Sequence, residues 1–122
     1  MKVEREAVKR LRRDDGMVTA ELATALPVLI LLALVAVVIV GVAQARVRCA
    51  DAAREAARAV ARGDPGAAAG LARAAAGHPI SVQQASGPES TTVTVSLTLH
   101  PLSWLGPITV TETAVVAAEP LP

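Results

Sequence analysis

Gly16-Met17-Val18-Thr19-Ala20-Glu21, with residues 22–45 directly behind it, sets the architecture of the chain. Residues 22–45 are 24 consecutive positions without a formal charge. As a helix rising about 1.5 Å per residue they extend roughly 36 Å, enough to cross a bilayer, so the sequence predicts a membrane segment here. The polar groups inside it are mild. Thr24 can bond back to a helix carbonyl, Gln44 sits at the far edge, and Pro27 and Gly41 are tolerated in membrane helices. The acid at its mouth is different. No lysine or arginine lies between Glu21 and Arg46, so in this stretch Glu21 has water, the helix N-terminus or another molecule as its partner.

The remainder of the 122 residues leaves room for one small domain. One Trp with no Phe and no Tyr excludes a large aromatic core. A formal net charge of +1 argues against nucleic acid as a partner, because such faces show a clear basic excess. A single cysteine excludes an intramolecular disulfide and every multi-cysteine metal pattern. His78 and His100 are isolated, each followed by proline, without metal-site spacing. No cofactor or metal is expected.

Residues 1–16 form a hydrophilic leader in which Lys2, Arg5, Lys9, Arg10, Arg12 and Arg13 outnumber Glu4, Glu6, Asp14 and Asp15. The positive-inside bias places this leader in the cytoplasm, although Arg46, Arg48, Arg54, Arg58 and Arg62 nearly match it on the other flank. Ala43-Gln44-Ala45 is a formal small-x-small signal-peptidase site, but the apolar run exceeds the about 7 to 15 residues of a signal-peptide core. An uncleaved signal anchor stays open as an alternative.

A basic leader closing on Gly16, with Glu21 at the fifth position after it and then an apolar helix, resembles the type IV prepilin signal. Within that class, Thr19-Ala20-Glu21-Leu22-Ala23 followed by Ala25-Leu26-Pro27-Val28-Leu29, and the later run from Asp51 through Arg54-Glu55 to Arg58-Ala59, are similar to TadE-like minor pilins, or pseudopilins, of tight-adherence Flp pilus systems. The resemblance covers roughly residues 12–62. It implies that a prepilin peptidase cuts after Gly16 on the cytoplasmic side, leaving Met17 as the new N-terminus. Glycine before the cut lets the backbone enter the peptidase in an extended form. It further implies that the Glu21 carboxylate compensates the Met17 ammonium of a neighbouring subunit, since pairing makes either charge tolerable at a lipid boundary. The implied partners are the peptidase, other pilin or pseudopilin subunits, the pilus assembly platform and membrane lipid. The implied location is the bacterial cytoplasmic membrane, single-pass with the C-terminal domain outside, or the pilus at the cell surface. Two departures are Leu22, where many Flp-type subunits carry an aromatic, and Met17, where a small or aromatic residue is more usual.

The long helix is expected over 17–62, with the transmembrane part at about 22–45, because no breaker appears before Gly63. At 100° per residue, Arg48, Asp51, Arg54, Glu55, Arg58 and Arg62 share one side, and Cys49, Ala52, Ala53, Ala56 and Val60 the other. Arg48 with Asp51, and Glu55 with Arg58, are i,i+3 pairs. Cys49 in the small-residue face suggests packing, the sharper alternative being an intermolecular disulfide.

Residues 63–79 read as a linker with a short helix: Asp64 as N-cap, Pro65 at the first helical position, 67–76 helical, then Gly77 and Pro79. Residues 80–122 read as a small antiparallel β domain of three strands. Positions 92–99 alternate strictly, with Val93, Val95, Leu97 and Leu99 against Thr92, Thr94, Ser96 and Thr98. Residues 80–85 are weaker, and 108–116 repeat the pattern less cleanly. The fold class is therefore α+β: a long N-terminal transmembrane and amphipathic helix, a short helix and a three-stranded sheet. With about 60 residues outside the long helix, near the size where an independent core is marginal, the apolar sheet face must pack on the alanine face of 44–62 or on a partner subunit. Trp104 is read as a plug for the open end of that core, or else as an interfacial or partner-contact residue.

No nucleophile elbow, phosphate loop or HExxH occurs, so no enzymatic activity is expected. Two function classes follow: a pilin-like structural subunit, or an uncleaved single-pass adaptor of an envelope complex.

Overall fold

The structure, a computed structural model, describes residues 1–117, the side chains of 11–14 excepted. Five elements follow one another: α1 (Lys2–Ala61), α2 (Pro65–Ala76), β1 (Ser81–Ser86), β2 (Ser90–Leu99) and β3 (Ile108–Ala117). The α+β class expected from the sequence is the class observed. The long helix begins earlier than residue 17, because the leader contains good helix formers and no proline, while Gly16 alone costs a helix only about 1 kcal/mol. The chain divides into two units, Met1–Val37 and Val38–Pro122.

In the first unit every described residue is exposed. Leu29, Ile30, Leu31 and Leu32 are each more than half exposed, and an 18-residue window of α1 reaches a mean hydropathy of 3.1 with none of it buried. By length and composition α1 contains a candidate membrane span.

The second unit holds the core. Along α1 the buried residues are Ala45, Cys49, Ala52, Ala53, Ala56 and Ala59, recurring every three or four positions as one stripe. Ala59 lies inside this stripe, while Val60 is only partly buried at its margin. The helix ends where Gly63 takes a positive φ of 81°, with the Asp64 amide donating to the Ala59 carbonyl at 3.0 Å. Asp64 then caps α2 by accepting from the Ala67 amide, and Pro65 opens the helix. Gly77, at φ 64°, closes it with its amide on the Arg73 carbonyl.

The sheet has the order β1-β2-β3, antiparallel throughout. Val93, Val95 and Leu97 of the central strand and Val110 of β3 join the alanines of α1 and the stripe Ala68, Ala72, Ala76 of α2 in one buried cluster. The helices thus contribute small groups and the sheet contributes bulk. Val93 and Val95 are fully buried, each worth about 1.5–3 kcal/mol. On the opposite face, hydroxyl pairs bridge β2 and β3: Thr94 with Thr113, Ser96 with Thr111, and Thr98 with Thr109, at 3.2 to 3.5 Å. Alternation along β2 therefore divides a core face from a hydroxyl ladder, each rung worth roughly 0.2–1 kcal/mol.

Candidate assembly segment and flanking sites

The predicted site residues fall in different places along the fold. Gly16, Met17 and Glu21 all lie on the first unit of α1. A Cβ added at Gly16 would meet nothing within 4 Å, so no packing accounts for a glycine there. Met17 is 72% exposed and Glu21 is also exposed, one helical turn apart on the same face. Thr19 Oγ1 donates to the Asp15 carbonyl at 2.8 Å and Thr24 Oγ1 to the Glu21 carbonyl at 2.9 Å. Both hydroxyls are therefore satisfied within the helix, as an apolar surrounding requires. Glu21 has no such satisfaction: among the described residues the ion pairs are Asp51 with Arg54 and Glu55 with Arg58.

Those pairs correct one detail of the helical-wheel reading. Glu55 and Arg58 meet at 3.2 Å as expected, but Asp51 turns to Arg54 at 3.1 Å and leaves Arg48 without it. Both pairs are largely solvated and worth a few tenths of a kcal/mol.

Cys49 is fully buried in the second unit, its thiol directed at the Val110 carbonyl across 3.9 Å. Burial pushes its pKa up, the Glu112 carboxylate pushes it further, and the Leu97 backbone amide partly offsets both. A thiol so placed meets no second chain unless the helix–sheet contact opens. Trp104 is 72% exposed in the 100–107 loop and does not plug the core. Val42, Ile80 and Leu99 are among the partly buried residues packed against the core cluster, which Trp104 does not join.

Reading the sequence alone missed two features. Glu112 lies on the core face of β3, opposite Val95 and half-buried, and the order Ile108, Val110, Glu112, Ala114 was the signal for it. The other is a cleft of about 190 Å³ in the second unit, to which Gln44, Arg48 and His78 contribute polar groups. Its parts are far apart in sequence, so no local motif marks it. Among the described residues no three His, Cys, Asp or Glu side chains come together as metal ligands would.

No curated protein and no solved structure matches the chain. A family model does, and its bounds coincide with the segment just described. It starts on Gly16 and ends on Arg58, taking in Glu21, the apolar run and the Asp51–Arg54 and Glu55–Arg58 pairs. That family is the TadE-like proteins, and this chain is similar to it over residues 16–58.

Proposed function

We propose that the chain is a minor pilin or pseudopilin, a structural and non-catalytic subunit of a tight-adherence, Flp-type pilus or a related secretion apparatus, and that a prepilin peptidase trims it after Gly16. The observation that carries this reading is the family match beginning at Gly16, joined to an exposed Glu21 with no ionic partner among the described residues. A glycine that no neighbour requires, inside a helix it weakens, is what a site for local opening needs: the peptidase must unwind this turn to reach the peptide bond. Trimming would remove the charged leader and leave an ammonium on Met17 at the edge of the apolar run. In an assembly, the Glu21 carboxylate of one subunit and the Met17 ammonium of another would neutralise each other where neither is well solvated. The C-terminal unit would then stand outside the membrane, or at the cell surface once the subunit enters the fibre.

A second reading is the uncleaved single-pass adaptor, favoured by the unbroken helix through Gly16 from Lys2 onward. N-terminal sequencing of the membrane-derived protein separates the two. Met17 as first residue is the expected result, and Gly16→Ile should leave the full chain uncut. An intact Met1 in cells that make the fibre would overturn the trimming proposal.

A further inference from the structure

The cleft in the second unit was not part of the assembly argument, and its position along α1 gives it a use. Twenty residues from Leu22, about 30 Å of helix, reach Gly41, one of the residues lining the cleft, so a span that starts at Leu22 would end at this point of the chain. Three of the lining residues carry hydrogen-bond donors: Gln44, Arg48 and His78. The walls beside them, Ala45, Leu97 and Leu99, are apolar, and no acid lines the cleft. Arg48 is exposed and in neither of the ion pairs among the described residues, because Asp51, one turn on, is engaged by Arg54. The cleft, about 190 Å³, is smaller than the roughly 300–1,000 Å³ of sites that enclose a whole ligand. It is open to part of a molecule whose remainder lies elsewhere. The loop that follows Leu99 carries exposed Trp104, the kind of side chain that settles at headgroup level.

We propose that this cleft seats the phosphate headgroup of an anionic phospholipid in the leaflet beside the C-terminal unit, with Arg48, His78 and Gln44 as donors. The inference rests on residues 22–45 crossing a bilayer. A guanidinium aimed at phosphate is the charge-assisted contact such a lipid offers, and a free anion would leave the apolar walls uncovered.

Trp104 is the one tryptophan in the chain, so its fluorescence tests the proposal without a label. The full chain is reconstituted in phosphatidylcholine vesicles containing equal small fractions of either acyl-brominated phosphatidylglycerol or acyl-brominated phosphatidylcholine. The anionic lipid should quench Trp104 about threefold to fivefold more than the zwitterionic one, the local enrichment expected for about one favourable basic contact. Arg48→Gln with His78→Gln, both exposed positions, should abolish the difference while leaving circular dichroism unchanged, and Arg48→Lys should keep part of it. Equal quenching of the unmutated chain by the two lipids would overturn the headgroup site while leaving the membrane span intact. Loss of the preference on adding millimolar inorganic phosphate at constant ionic strength would assign the cleft to a free anion and overturn the lipid. Quenching by neither lipid would place Trp104 away from the acyl chains and overturn the position of the cleft at headgroup level.

Discussion

Leu32 and Ala52 sit on the same helix and illustrate two opposite uses of an apolar residue. Leu32 is 59% exposed and Ala52 is fully buried, although leucine is the more hydrophobic. In the first unit large side chains line the helix all round and stay exposed among the described residues, the pattern of a surface suited to lipid or to other subunits. In the second unit the residues are small and striped, because the sheet already supplies the volume that fills the core. Size and periodicity together therefore identify what covers a helix, and hydropathy alone does not.

The largest effect that could break this contrast lies at Glu21, the one charge inside the exposed apolar unit's mouth. On the proposed pilin role, Glu21→Val should remove the subunit from fibres almost entirely while the proposed trimming after Gly16 continues, as read by immunoblots of sheared pili and of membranes. Normal incorporation of the mutant would show that the carboxylate has no counter-ion in the assembly.

Next in size is the packed stripe. Ala52→Leu forces extra carbon atoms into a core without space for them and should cost about 1–3 kcal/mol, read as a lowered urea midpoint of the C-terminal unit in the detergent-solubilised chain. Leu32→Ala, made on the exposed side, should leave that midpoint unchanged. If the two substitutions acted alike, the division at residue 37 would have no energetic meaning.

Much of this contrast was legible in the sequence, since it rests on local patterns. The i,i+3/i+4 recurrence of small residues marked the buried stripe, strict alternation marked β2, and Asp64-Pro65 with Gly77 marked both ends of α2. Illegible features were those set by tertiary register. The core position of Glu112 follows from its pairing opposite Val95, and Trp104 stands exposed outside the core cluster, which no local pattern marked. The helical start at Lys2 was obscured for another reason: residues 1–16 were set apart by their charge, yet they contain no proline to break a helix. Of the candidate site, the Gly16 to Glu21 spacing was readable, and the cleft around Arg48 was not, because His78 and Leu97 come to it from separate elements.

A smaller effect belongs to the junction between the stripe and the sheet. Asp64 accepts from the Ala67 amide at 3.2 Å, and Asp64→Ala should cost about 1 kcal/mol while leaving the span untouched. Asp64→Asn or Asp64→Ser should recover most of it, since either offers the same acceptor. Loss of stability in all three substitutions would point to a role for the charge instead of the cap.

The smallest effect appears only in alkali and concerns the one buried titratable group of the stripe. A thiol ionises in an unfolded chain near pH 8.5, whereas in the fold burial and Glu112 hold Cys49 protonated to higher pH. The unfolded state therefore loses its proton first, and by linkage stability falls as pH rises from about 8.5 through the raised folded value, while below that window the contribution is complete. Urea midpoints of the C-terminal unit measured between about pH 8 and 10 should decline in the parent chain more steeply than in Cys49→Ala. Glu112 is the other ionisable group acting on this site, and its carboxylate adds to the effect of burial on the thiol. Equal slopes in the two proteins would mean that Cys49 ionises as freely in the fold as outside it, and that the helix–sheet contact over the stripe is open to water.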